Sequence, residues 1–162
     1  MFVPAFFASL SSPNGMEALR RFAYFKKIVG PIDVDIIEAK NTVSVSYKFA
    51  YNNMELPKFS VLNEQLLTLS IIRTGVGERV LPLVVESPFD YDSKTLEEFG
   101  LPVQKGKGNL LVFDKNDLQK TFLTQNNIMW QYLETELNKH LASLEKSQSF
   151  SSYVQSELYS AI

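Results

Sequence analysis

Pro31-Ile32-Asp33-Val34-Asp35-Ile36-Ile37-Glu38-Ala39-Lys40-Asn41-Thr42-Val43-Ser44-Val45-Ser46-Tyr47-Lys48-Phe49-Ala50-Tyr51 is the stretch on which the fold turns. Ile32, Val34 and Ile36 alternate with Asp33 and Asp35. Val43, Val45, Tyr47, Phe49 and Tyr51 alternate with Ser44, Ser46, Lys48 and Ala50. Period-two alternation marks strands with one buried face. The connection Ala39-Lys40-Asn41 is short, so the two strands pair as an antiparallel hairpin.

Working outward towards the N-terminus, Gly30-Pro31 closes a helix that starts near Asn14 and ends near Val29. Glycine accepts the left-handed position after a helix and proline cannot continue one. Asn14 caps its start, and Glu17 completes a capping-box pattern. Leu19, Phe22, Ala23, Phe25 and Ile28 make its apolar side; Arg20, Arg21, Lys26 and Lys27 make its wet side. A short helix over Phe6 to Leu10 and a turn at Ser11-Ser12-Pro13 precede it. Beyond the hairpin, a long helix runs from Lys58 to Thr74, with Phe59, Leu62, Leu66, Leu69 and Ile72 or Arg73 inward and Leu67 and Ile71 widening the stripe. Val80 to Val85 reads as a third strand, and Pro82 within it argues for an edge position or a bulge. A short helix capped by Asp92 or Ser93 closes at Phe99-Gly100. Leu101 to Lys105 and Leu110 to Phe113 read as a second hairpin about Gly106-Lys107-Gly108-Asn109. Asp114 caps a single turn through Leu118. Helices over Thr124 to Lys146 and from Phe150 onward complete an α+β chain: an antiparallel or mixed β-sheet flanked by helices, with a long C-terminal helix.

The 162 residues fit one domain, and 45% hydrophobic against 21% charged is the balance of a globular chain. With 16 basic and 18 acidic side chains the net charge is -2, whereas a domain holding DNA by itself needs a basic excess. The absence of cysteine removes disulfides, thiolate metal sites and cysteine nucleophiles, and suits a reducing cytoplasm. No apolar run reaches the roughly 18 residues of a spanning helix, and the apolar start lacks the basic region of a signal peptide. That abrupt start, and the stop at Ala161-Ile162 in or just after a helical pattern, read as cuts in a longer protein.

Few residues offer chemistry. His140 is the single histidine, so a transition-metal site would have to be carboxylate-rich, and neither a metal nor a cofactor is expected. No serine sits in a Gly-x-Ser-x-Gly elbow, which leaves a small hydrolase using His140 as a minor alternative. Asp33 and Asp35 read as the solvated face of a strand, with Lys48 and Ser46 across from them. The glycine-rich Gln104 to Asn109 segment matches no Walker sequence. Seven Tyr, twelve Phe and one Trp are a large aromatic complement. Phe25, Tyr47, Phe49 and Phe59, with Arg73, are candidate walls of a small-molecule pocket, and core packing explains the same residues equally well. Trp130, Leu133, Leu137, His140 and Leu144 have near-heptad spacing. They form either a dimer seam or a face turned to the domain's own core.

Three segments together resemble the N-terminal, arabinose-binding-like sensor domain of AraC-type bacterial transcription regulators. The first is Phe7 to Gly15 leading into Glu17-Ala18-Leu19-Arg20-Arg21 and Lys26-Lys27-Ile28-Val29-Gly30-Pro31. The second is Leu96-Glu97-Glu98-Phe99-Gly100-Leu101-Pro102-Val103 followed by Gly108 to Phe113. The third is the long C-terminal helix followed by Phe150 and Tyr153-Val154. The resemblance implies a non-enzymatic domain of residues 1–162 that senses a small metabolite and forms a homodimer. It also implies that DNA is contacted only through a helix-turn-helix module absent from this chain. It does not imply arabinose, and it transfers no effector residue. An interaction-only dimerisation domain is the other alternative.

Overall fold

The computed structural model describes residues 3–29, 31–51 and 53–143. Helix α1 (Val3–Leu10) and helix α2 (Gly15–Val29) lead into strands β1 (Ile32–Glu38) and β2 (Thr42–Phe49). Helix α3 (Lys58–Val76), strand β3 (Val84–Ser87), helix α4 (Ser93–Phe99) and strand β4 (Gln104–Lys105) follow. Strand β5 (Leu110–Asp114), helix α5 (Lys115–Gln119) and helix α6 (residues 127–143) complete the described chain. Leu144, Phe150, Tyr153, Val154 and the expected last helix lie outside the described residues.

The strands form one mixed sheet in the order β1-β2-β5-β3-β4, antiparallel except for the β3–β4 pair. The alternation read from the sequence sets the register. Val34 faces Tyr47 and Ile36 faces Val45, so the apolar partners share one side. On the other side Asp33 faces Lys48 and Asp35 faces Ser46, and Lys48 reaches diagonally to Asp35 at 3.3 Å. The inner face of the sheet (Val43, Val45, Tyr47, Val85, Leu111, Phe113) packs with Leu19 and Phe22 of α2 and with Leu69 and Ile72 of α3. Asn14 Oδ1 accepts from the Glu17 amide at 2.9 Å and so caps α2. The Glu17 carboxylate is turned towards Arg20 and Arg21. Asp92 and Asp114 cap α4 and α5 through the amides of Thr95 and Asn116.

Four expectations need correction. First, the segments 101–105 and 110–113 are not a hairpin. Both ladder edges of β5 are taken, by β2 and by β3, and β4 pairs in parallel with the far edge of β3. Residues 106–109 therefore cross the end of β3. A Cβ on Gly106 or Gly108 would lie 2.4 Å from a Glu86 carboxylate oxygen, so a side chain at either position would have to displace the end of Glu86. Second, β3 is an interior strand. It begins at Val84, so the N–H that Pro82 lacks falls before the ladder.

Third, α3 is rotated from the stripe its apolar residues suggest. Its buried positions are Val61, Glu64, Gln65, Thr68, Leu69, Ile71, Ile72, Gly75 and Val76, while Phe59 is 80% exposed. Burial is tolerated because the polar groups find partners. Gln65 donates to the Glu86 carbonyl at 3.1 Å and accepts from the Tyr91 hydroxyl at 2.9 Å. Thr68 donates to the Glu64 carbonyl at 2.8 Å. Fourth, Lys26 is not on a wet face. It is buried, and its Nζ lies 2.6 Å from Glu64 Oε1.

The approach to α6 is fixed by main-chain bonds. Phe122 N donates to the Pro13 carbonyl at 2.9 Å, Leu123 N to Gly75 at 2.6 Å and Asn126 N to Ser11 at 3.0 Å. The Thr124 hydroxyl bonds the Leu10 carbonyl. A Cβ on Gly75 would lie 2.4 Å from the Phe122 ring, so that ring sits directly on the helix backbone.

Candidate functional site

The two buried faces of α2 give rise to the site. Leu19, Phe22 and Lys26 recur at helical spacing and face the sheet and α3. Phe25 turns the other way, into a small second cluster with Ala8 of α1 and Leu137 of α6, where Trp130 and Leu133 pack against it. Leu137 is 1% exposed and Phe25 is equally enclosed. The ring centroids of Phe25 and Trp130 are 6.1 Å apart and edge-on. The inner stripe of α6 (Trp130, Leu133, Leu137) is thus taken up by this domain's own helices. His140 is exposed on α6.

Above that cluster, α2 and α6 leave a cleft of about 250 Å³ lined by Glu17, Arg20, Arg21, Tyr24, Phe25, Trp130, Glu134 and Asn138. Arg21 is its central feature. Its guanidinium carbon lies 3.7 Å from the centroid of the Trp130 ring, a close cation–π stack. The side chain is 12% exposed, and its Nε and Nη1 atoms are buried with no hydrogen-bond acceptor. Its nearest carboxylate, Glu17 Oε1, is 3.9 Å away and is shared with Arg20. Burial draws the Arg21 pKa down, while Glu17 and then Glu134 oppose that shift. A guanidinium remains a cation at neutral pH and is a five-donor group, so this one retains donors to offer. Arg20 is committed elsewhere, to Glu38 at 3.2 Å.

The five residues expected to wall a pocket are dispersed. Phe25 floors the cleft just described. Tyr47 is buried under the sheet, its hydroxyl 2.5 Å from Thr68 Oγ1, and burial pushes its phenol well above the ordinary tyrosine range. Phe49 packs part-buried at the end of β2. Phe59 projects outward from α3. Arg73 clamps the end of α3 to the loop beyond it, donating to the carbonyls of Val80 (2.9 Å), Glu98 (2.7 Å) and Phe99 (3.3 Å). The sequence reading overlooked Glu17, Arg21, Tyr24, Glu134 and Asn138 as one site. One signal was present: Arg21 lies one turn before Phe25, on the same face, so it shares whatever covers Phe25.

Among the described residues no group of three His, Cys, Asp or Glu could hold a metal ion, and no helix is long and apolar enough to cross a membrane.

The fold and cleft define an α+β domain in which a small mixed sheet is backed by helices. No family model matches the sequence, and no curated protein is significantly similar to it. Among solved structures, the fold is similar to that of the transcriptional regulator CdpR from Pseudomonas aeruginosa. The TM-score is 0.60 and the identity 16%, over 85% of this chain and 49% of that one. At that identity the likeness is one of fold. The chain spans about half the length of the regulator it resembles.

Proposed function

We propose that this chain is the sensing and dimerisation domain of an AraC-type bacterial transcription regulator. It binds a small metabolite in the cytoplasm and acts on DNA only through a separate helix-turn-helix module. The observation that carries this reading is the α2–α6 cleft, where a desolvated arginine with unused donors lies on a tryptophan face. The shared fold with a regulator and the three resembling segments support the same assignment. The mechanism is linkage. A ligand that bridges α2 and α6 favours the arrangement in which they are docked, and the differential affinity is the free energy available for regulation.

The test is thermal unfolding of the protein against a metabolite panel. A ligand at about a hundred times its Kd adds about 2.7 kcal/mol of stability. A panel with no effect on the melting temperature would remove sensing from the proposal.

One observation favours the interaction-only reading. Leu123, just before α6, and Ile128 and Tyr132, on the outer side of its first turns, are 78%, 82% and 67% exposed. With the inner stripe occupied, a second copy is expected to pack on this outer side. Sedimentation at micromolar concentration decides: a dimer in the wild type that is lost in I128D supports that surface, and a monomeric wild type removes it.

A further inference from the structure

We propose that the cleft between α2 and α6 takes a small zwitterion of the α-amino-acid class. The proposal rests on the sensing reading above and names its ligand chemistry. Three observations lead to it. The first is Arg21, whose Nε and Nη1 are withdrawn from water without an acceptor. A buried donor without a partner is costly, and a charged one more so. A carboxylate is the group whose geometry and charge satisfy a guanidinium best. Trp130 lies against the guanidinium, whose carbon is 3.7 Å from the ring centroid, and Arg21 is among the residues that line the cleft.

The second observation is the balance of charge. The lining carries two cations, Arg20 and Arg21, and two carboxylates, Glu17 and Glu134. A bare anion would gain from Arg21 and be repelled by both acids; a bare cation would meet the converse. A molecule with both charges a few ångströms apart complements the whole lining. Its carboxylate lies against Arg21 and its ammonium against the Glu17 and Glu134 side. The Asn138 amide can bond either end.

The third is size and wall chemistry. About 250 Å³ is below the range of drug-sized sites, which suits a molecule of amino-acid size. Tyr24, half-exposed and edge-on to Phe25 at 4.7 Å, and the rim of Trp130 supply an apolar wall for a side chain.

Trp130 is the sole tryptophan, so its emission reports the cleft directly. The wild-type protein would be titrated to millimolar concentration with each proteinogenic amino acid, and with butyrate and butylamine as compounds that carry only one of the two charges. The expected result is a saturable change with at least one amino acid and none with either control. R21Q removes a charge-assisted bond and is expected to weaken that binding by about tenfold or more. E134Q, on the partly exposed rim, is expected to weaken it as well, and it serves if R21Q does not fold. Binding of butyrate as tight as that of any amino acid overturns the zwitterion assignment. Amino-acid binding unchanged in both variants overturns the location. A melting-temperature response to other metabolites, with no amino acid active, overturns the ligand class and leaves the sensing reading intact.

Discussion

Lys26 and Arg21 are both cations of α2 withdrawn from water, and they are matched differently. Lys26 has its counter-ion, Glu64, at 2.6 Å, in a setting where both side chains are almost fully enclosed. Arg21 has an aromatic face beneath it, a shared carboxylate at 3.9 Å, and a cleft beside it. The first arrangement holds α2 against α3 and leaves no way in. The second stabilises the cation by polarisable contact while leaving its hydrogen-bonding edge uncommitted. Burial of a charge alone therefore does not mark a site; burial with unspent bonding capacity beside an opening does. Glu64 Oε2 is also without a partner, but the surrounding core walls it in.

The contrast can be broken from either side. The largest effect is expected for K26M, which strands the Glu64 carboxylate in the core and should cost about 3–5 kcal/mol in chemical denaturation. The double variant K26M/E64L should recover most of that loss, because removing both charges leaves only packing to satisfy. If the single variant unfolds no more easily than the wild type, Lys26 is not the structural member of the pair of cations. Next comes L137A, in the apolar cluster beneath the cleft. Large-to-small changes at enclosed leucines cost about 2–5 kcal/mol. Here the loss should fall on α6 docking, seen as a red shift of Trp130 emission at temperatures where the far-ultraviolet signal of the sheet is still native.

Y47F tests the matched interior at a finer scale. It removes one buried hydroxyl while Thr68 keeps its bond to the Glu64 carbonyl, so about 1 kcal/mol is expected. The phenol adds a dependence on pH. Its folded pKa is raised, so the folded state holds the proton more tightly than the unfolded chain does. The associated stability is fully present below the ordinary tyrosine pKa of about 10 and is lost as pH rises above it. Alkaline unfolding should thus be shallower in Y47F than in the wild type. E17Q sharpens the other side. Its pairs with Arg20 and Arg21 are long, 3.6 and 3.9 Å, and the Glu17 side chain itself is 39% exposed, so less than about 0.5 kcal/mol is expected. A loss of several kcal/mol would mean that Arg21 depends on Glu17 as Lys26 depends on Glu64.

The same contrast explains what was legible in the sequence. The β1–β2 hairpin and the caps at Asn14, Asp92 and Asp114 follow local rules, and each stands where its pattern placed it. Partner choice within the sheet is non-local. Nothing in residues 101–113 says that β3 will lie between the two segments, because both neighbours of β5 come from elsewhere in the chain. The inner face of α3 was misread because hydrophobicity stood in for burial. Glu64, Gln65 and Thr68 are inside by virtue of Lys26, Tyr91, Glu86 and Tyr47, none of which is a neighbour in sequence. Lys26 itself was recoverable. It follows Phe22 by four residues and Leu19 by seven, in register with the apolar stripe. The cleft joins residues 17–25 to 130–138, which are aligned by the packing of Leu137, Trp130 and Leu133 on Phe25 and Ala8 and by the main-chain bonds that precede α6.

The strapping of residues 122–126 to Pro13, Gly75 and Ser11 has a mechanical consequence. Backbone bonds hold the near end of α6 whatever its side chains are, so that end behaves as a fulcrum. The 17 residues from 127 to 143 form a rod about 25 Å long. A tilt of about 10° at the fulcrum swings the tip through about 4 Å on that geometry. A ligand held in the cleft against Trp130 would act on this rod near its base, where a small displacement of the ring becomes a larger stroke at the far end.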